Sequence, residues 1–238
     1  MVKNHKPTML VLLETRMSEH KILTEVFNFD SQFQSAAAGL FGGMVIIWKN
    51  DVLNVGDISI TPQSIHVSIQ INSDPNPWFF TAIYASTDFY SRIRLWEKFC
   101  VFPPRLLDIS LLGATLMKSL GIMKVWGGGG FINNTISNLF RKCLDQCRLL
   151  DLGFKGGKFT WTNKRYKNRQ SLILERLDRC LANNSWTLRY PKPMSPICPG
   201  QNLIIAPFKS ISGHPNHQII RSFLEWISCG VGTHHLEV

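Results

Sequence analysis

The chain has 238 residues, of which 45% are hydrophobic, 11% aromatic and 18% charged, so it is not a disordered polymer and has enough apolar material for one sizeable core. Its formal net charge of +10 suits a polyanionic partner such as nucleic acid, although a merely basic soluble protein carries the same balance. The cysteines at 100, 143, 147, 180, 198 and 229 form no C-x-x-C pair, which argues against a zinc or redox motif and for a reducing compartment.

Met9 to Leu13 is an apolar run ending at Glu14, read as a buried strand with a carboxylate at its carboxyl end. It is too short for a signal-peptide core or a membrane span, and a soluble, intracellular chain is expected. Ser18 to Phe27 reads as a short helix capped by Ser18. Gly42-Gly43 breaks the chain before a second apolar strand, Met44 to Trp48. Val52 to Ile60 follows the Asn50-Asp51 turn. Ile65, Val67, Ile69 and Ile71 alternate with polar residues, the pattern of a strand with one buried face. The turn Asp74-Pro-Asn-Pro77 leads to a strand from Trp78 to Tyr84. Short connections make these neighbouring strands antiparallel hairpins.

Ser86 to Phe99 reads as a helix burying Ile93, Trp96 and Phe99. Asn134 to Leu150 is the clearest helix, with Ile136, Leu139, Phe140, Cys143, Leu144, Cys147 and Leu150 on one face. Cys143 and Cys147, four apart, are read as core residues. Phe159 to Thr162 is a β-prone run, and Leu172 to Leu181 follows a polar, basic loop. Pro103 to Gly130 offers no clear strand, and Pro191 to Gly213 carries five prolines without periodicity. Strands, then helix, then strands imply layered sheets covered by helices.

Several segments together resemble the endonuclease domain of plant LINE retrotransposons, within the DNase I-like endonuclease/exonuclease/phosphatase family. They are Leu-Leu-Glu-Thr-Arg at 12–16, Gly-Gly-Met-Val-Ile-Ile-Trp at 42–48, Pro-Gln-Ser-Ile-His at 62–66, Pro-Trp-Phe-Phe-Thr-Ala-Ile-Tyr at 77–84 and Arg-x-x-Leu-Trp at 92–96. Leu-Asp-Leu-Gly-Phe-Lys-Gly at 150–156, Phe-Thr-Trp-Thr-Asn at 159–163 and Glu-Arg-Leu-Asp-Arg-Cys-Leu-Ala-Asn at 175–183 complete the set, which covers most of residues 9 to 192. The resemblance implies an α/β four-layer sandwich: two mostly antiparallel sheets face to face, helices outside, in one domain over 8–192 with a disrupted insert at 102–130. Residues 193–238 are expected to form an irregular, out-of-frame tail. It also implies Mg²⁺-dependent cleavage of DNA, carried out in the nucleus. A hard cation needs converging oxygen ligands, and a base, a histidine oriented by an aspartate, must activate water.

Glu14 matches the family's metal-ligand glutamate; the alternative is a surface glutamate ending a strand. Tyr84 matches the tyrosine lining the active-site cleft, or is simply a packed tyrosine at a strand end. Asp178 is read as a structural carboxylate bracing Arg176 or Arg179. Lys164, Arg165, Lys167 and Arg169 form a basic loop that either tracks a DNA backbone or is merely solvated.

Other parts of the family pattern are absent. No strand carrying a metal-site asparagine precedes Glu14, so the first strand is expected to be truncated. Where Gly-Asp-Phe-Asn should stand, residues 111 to 124 hold no acidic residue. Reading the third base of each codon with the first two of the next, permitted codons from Gly113 onward give Gly-Asp-Phe-Asn-Glu-Ile-Phe-Gly-His-His-Glu. The Met117–Lys118 and Met123–Lys124 junctions force the two glutamates. The same shift allows His217 to Arg221 to encode Ser-Asp-His-Pro, the family's third signature. In the frame as written, Ser212-Gly213-His214-Pro215 mimics it with glycine for aspartate, leaving His214 a base without its orienter. Two windows, about Phe102 to Gly130 and about Met194 to Val238, are therefore read as frame-shifted. Three outcomes are open: residual Mg²⁺-dependent endonuclease activity, a catalytically dead DNA-binding remnant, or a product without function.

Overall fold

The computed structural model describes residues 8–39, 41–101, 110–116, 134–152, 161–162, 172 and 174–189. In chain order its elements are β1 (Met9–Leu13), α1 (Lys21–Val26), β2 (Ser31–Ala38), β3 (Phe41–Trp48), β4 (Leu53–Thr61), β5 (Ser64–Ile71) and β6 (Trp78–Ala85). These lead into α2 (Phe89–Val101), β7 (Ser110–Leu116), α3 (Asn134–Gln146), β8 (Leu149–Asp151), β9 (Trp161–Thr162), β10 (Leu174–Glu175), β11 (Asp178–Asn183) and α4 (Asn184–Arg189).

One sheet has the order β1-β3-β2, all antiparallel. Its middle strand is β3, whose unbroken run from Met44 to Trp48 is buried, as a strand covered on both faces must be. The second sheet has the order β4-β5-β6-β7-β11-β8. Its one parallel pairing among the described strands is β6 with β7. Parallel neighbours need a crossover, and α2 lies in the connection between them. β9 and β10 pair separately.

A first core lies between the sheets. Met9, Leu10, Val11 and Leu13 of β1 meet Met44 and Ile46 of β3, and Ile65, Val67 and Ile69 of β5, Trp78, Phe80 and Ala82 of β6, with Trp186 of α4, complete it. A second core lies on the other face of the large sheet. There Ile83 and Ala85 pack with Leu95, Trp96 and Phe99 of α2 and with Phe140, Cys143 and Cys147 of α3. Trp96 and Phe140 touch with ring centroids 4.7 Å apart. The architecture is thus the expected α/β arrangement of stacked, mainly antiparallel sheets with helices outside.

Local expectations need correction in four places. Pro103 to Gly130 does contain a strand: β7 is an inner strand of the large sheet. Its run Ser-Leu-Leu-Gly-Ala-Thr-Leu has no regular polar–apolar alternation for a sequence pattern to reveal. β2 was not foreseen, since its burial alternates only weakly. α1 begins at Lys21, not Ser18, because the carboxylate of Glu19 accepts the Lys21 and His20 amides and Ala37 N–H holds the Met17 carbonyl. The helix from Asn134 stops at Gln146, and Leu150 is an exposed residue of β8 instead of a helix-face residue.

Candidate functional site

The site is built where β1 ends and β3 begins. Glu14 and Arg16 both adopt left-handed backbone, φ 55° and 58°. Non-glycine residues pay for that conformation, and such strain gathers at functional sites. Thr15 N–H donates to the Gly43 carbonyl at 3.0 Å and Arg16 N–H to the Gly42 carbonyl at 2.9 Å, which holds the turn. Gly43 is irreplaceable on two counts: its φ is +81°, and a Cβ there would lie 2.4 Å from Thr15 Oγ1. The Thr15 hydroxyl is in turn 2.6 Å from His20 Nε2, while His20 Nδ1 lies 2.8 Å from Gln34 Oε1. A carbonyl oxygen only accepts, so Nδ1 carries the proton toward Gln34 and Nε2 can accept from Thr15. Sequence reasoning missed this fully buried histidine, since its partner lies fourteen residues away on β2.

Tyr84 is the next-to-last residue of β6, its ring beside Gly42, and only 3% of its surface is exposed. Burial raises its pKa, and the negative charge of Glu14 raises it further; the Gly42 amide and Arg16 oppose them. The structure therefore brings Glu14, Arg16 and Tyr84 together. The Glu14 carboxylate makes a 3.3 Å ion pair with Arg16.

The large sheet carries a row across this end. Tyr84 pairs with Thr115 of β7, and Thr115 pairs with Asp178 of β11. Asp178 is buried, at 7% exposure, in line with Tyr84. The carboxylate shared by the two arginines beside it is that of Asp151, 2.9 Å from Arg176 and 2.7 Å from Arg179. On β7, Ala114, Thr115 and Leu116 occupy the segment where the resemblance calls for Asp, Phe and Asn.

A resident Mg²⁺ requires several converging oxygen ligands. Among the described residues, no group of three or more His, Cys, Asp or Glu is placed to hold a metal ion. Glu14, in an ion pair with the exposed Arg16, is a single carboxylate, and neither a carboxylate nor an amide stands on β7 next to Tyr84. The described residues do not fit the cation. Cys180, deep in the core, is no substitute, since burial pushes its thiol up to about 12. His214 and the basic loop residues Lys164, Arg165, Lys167 and Arg169 lie outside the described residues.

Beside Tyr84 opens a cavity of about 380 Å³ whose lining does not include Glu14. The β2–β3 hairpin, the β4–β5 turn, the end of β6 and one face of α2 enclose it.

No protein-family model and no curated protein matches the chain. Solved structures do. A 3′ phosphatase, NExo, from Neisseria bound to product DNA hairpin is 14% identical with a TM-score of 0.53, over 77% of this chain and 79% of that one. An endonuclease/exonuclease/phosphatase family protein from Bacteroides thetaiotaomicron is 12% identical with a TM-score of 0.51, over 78% and 72%. The endonuclease domain of TRAS1, a telomere-specific non-LTR retrotransposon, is 16% identical with a TM-score of 0.46, over 73% and 85%. At such identities the likeness speaks to fold: the chain has the DNase I-like fold of endonuclease/exonuclease/phosphatase proteins. Its neighbours are nucleases and phosphatases.

Proposed function

We propose that this chain is a degenerate copy of a LINE-type retrotransposon endonuclease, of the plant-type lineage its motifs resemble, that has kept affinity for DNA and lost hydrolysis. The observation that carries this reading is the row Tyr84–Thr115–Asp178. It places β7 beside the tyrosine with Ala114, Thr115 and Leu116 in the stretch that should supply an aspartate and an asparagine. Groups in such a centre act as a unit, so losing one or two members costs orders of magnitude in rate. Charge of +10 with a DNase I-like scaffold supports a retained DNA ligand, and with it action in the nucleus.

The test is nicking of supercoiled plasmid with excess Mg²⁺, alongside a DNA-binding titration. The expected result is salt-sensitive binding with no cleavage above that of Glu14→Ala. Metal-dependent nicking that disappears in Glu14→Ala overturns the reading, and so does failure to bind DNA at all. The origin of the defect is tested separately by the nucleotide sequence over codons 102–130, which should spell Gly-Asp-Phe-Asn in the alternative frame.

A further inference from the structure

The cavity beside Tyr84 is lined by chemistry that hydrolysis does not require. On one wall, Phe41 opens the β2–β3 hairpin with 59% of its surface exposed, although a large aromatic ring gains by burial. From α2, the lining takes Arg94 and Lys98, four residues apart and so on one helix face. Both are exposed, and neither makes a salt bridge among the described residues. Tyr84 and Leu95 also line the cavity.

The walls are fixed before any ligand arrives. Gln63 accepts the Ser86 amide at 2.9 Å through Oε1 and donates to the Ser91 carbonyl at 2.9 Å through Nε2, tying the β4–β5 turn to the end of β6 and to α2. Ser35 Oγ donates to the Thr61 carbonyl at 2.8 Å, tying the hairpin to the same turn. A volume of about 380 Å³ falls within the range of about 300–1,000 Å³ usual for small-ligand sites.

An exposed ring and two cations bordering one cavity match a planar base joined to a phosphate. We infer that this cavity seats one unpaired nucleotide of a DNA strand, its base against Phe41 and its phosphate against Arg94 and Lys98. A paired base in a duplex has no free face for the ring, so the site selects single-stranded or locally melted DNA. Stacking on an aromatic ring tolerates any base, so little sequence preference is expected. The inference rests on the reading that the chain retains a DNA ligand, and it assigns the residues that hold it.

The test is fluorescence anisotropy of a labelled oligothymidylate and of a duplex of equal length, titrated at several salt concentrations. Phe41→Ala should weaken oligothymidylate binding at least about fivefold, with the salt slope unchanged and the duplex little affected. Phe41→Trp should preserve it. Arg94→Gln with Lys98→Gln should weaken binding and reduce the slope of log affinity against log salt by about 0.7, the value for one phosphate neutralised on a single strand. All these side chains are solvent-exposed, so the variants should melt like the parent. Parent-like binding by both Phe41→Ala and the Arg94, Lys98 double variant overturns the site while leaving DNA binding intact. A parent that binds neither oligonucleotide overturns the DNA-binding reading itself, and the site with it.

Discussion

Tyr84 and Thr115 stand side by side in the parallel ladder of β6 and β7. The residue before Thr115, where the resemblance calls for an aspartate, is Ala114, and the one after it, where an asparagine is called for, is Leu116. Restoring the missing groups should restore metal affinity. Ala114→Asp, Thr115→Phe and Leu116→Asn together should create Mn²⁺ binding, read by electron paramagnetic resonance, that the parent lacks. Adding Glu14→Ala to this triple variant should abolish it again. A parent that already binds Mn²⁺ in a Glu14-dependent manner contradicts the assignment.

The Glu14–Tyr84 relationship also makes a titration prediction. Burial, then the nearby Glu14 charge, holds the Tyr84 pKa above the ordinary 10.0 of tyrosine. The unfolded chain ionises this phenol first as pH rises. Its contribution to stability is therefore complete below pH 10 and is lost as pH climbs through the raised folded value. Ultraviolet titration should show one tyrosine ionising late, and Glu14→Gln should move that transition downward. No change in Glu14→Gln would mean that the two side chains do not sense each other.

The turn holding Glu14 can be probed through two glycines. Gly39 and Gly43 both have positive φ, 62° and 81°, so alanine at either costs roughly 1–2 kcal/mol in left-handed backbone. At Gly39 a Cβ meets nothing within 4 Å, whereas at Gly43 it would lie 2.4 Å from Thr15 Oγ1 and 3.1 Å from Arg16 N. Gly43→Ala should therefore be the more destabilising of the two by thermal melting. It should also displace Thr15 from His20, which the His20 ring resonances would report.

How far the residues announced this structure depends on the reach of each signal. The period-two run Ile65, Val67, Ile69 and Ile71 was legible because burial of one face is a local pattern, and all four are buried. Glu14 and Tyr84 were legible from the motifs around them, as strand-end residues, and the fold brings them together. The place of Asp178 was not. Its alignment with Tyr84 passes through Thr115, and that register is set by strand pairings spanning 63 and 31 residues. β7 was hidden because its run lacks regular alternation. The cavity residues Phe41, Arg94 and Lys98 looked like ordinary surface residues, since only the tertiary fold brings β3 and α2 to the border of one space.

Asp151 is the common partner of two buried cations, Arg176 and Arg179, with side chains 3% and 6% exposed. Desolvation depresses the Arg179 pKa, and Asp151 works against it. Breaking a buried pair leaves uncompensated charge at a cost of about 3–5 kcal/mol. Asp151 is itself partly exposed, so Asp151→Ala should fall at the lower end of that range in urea unfolding. Asp151→Leu should do no better, because the loss is charge balance and not packing. A negligible change would show that water or another group already compensates the arginines.

The far end of the sandwich is closed by an ion pair across the chain, between Asp74 in the β5–β6 turn and Arg189 at the end of α4. Burial alone would raise the Asp74 pKa. The Asn76 amide and Arg189 outweigh it, and the carboxyl titrates below the ordinary range. A depressed folded pKa stabilises above the unfolded value, about 3.9, and that contribution is lost as pH falls through the folded value. Asp74→Asn should thus lower the urea midpoint at neutral pH, and the gap from the parent should close on acidification below about pH 4. Arg189→Gln should show the same convergence, since it removes the other half of the pair. A gap that persists unchanged into acid would mean that the carboxylate charge contributes nothing, and that Asp74 acts only through the neutral hydrogen bonds that cap its turn.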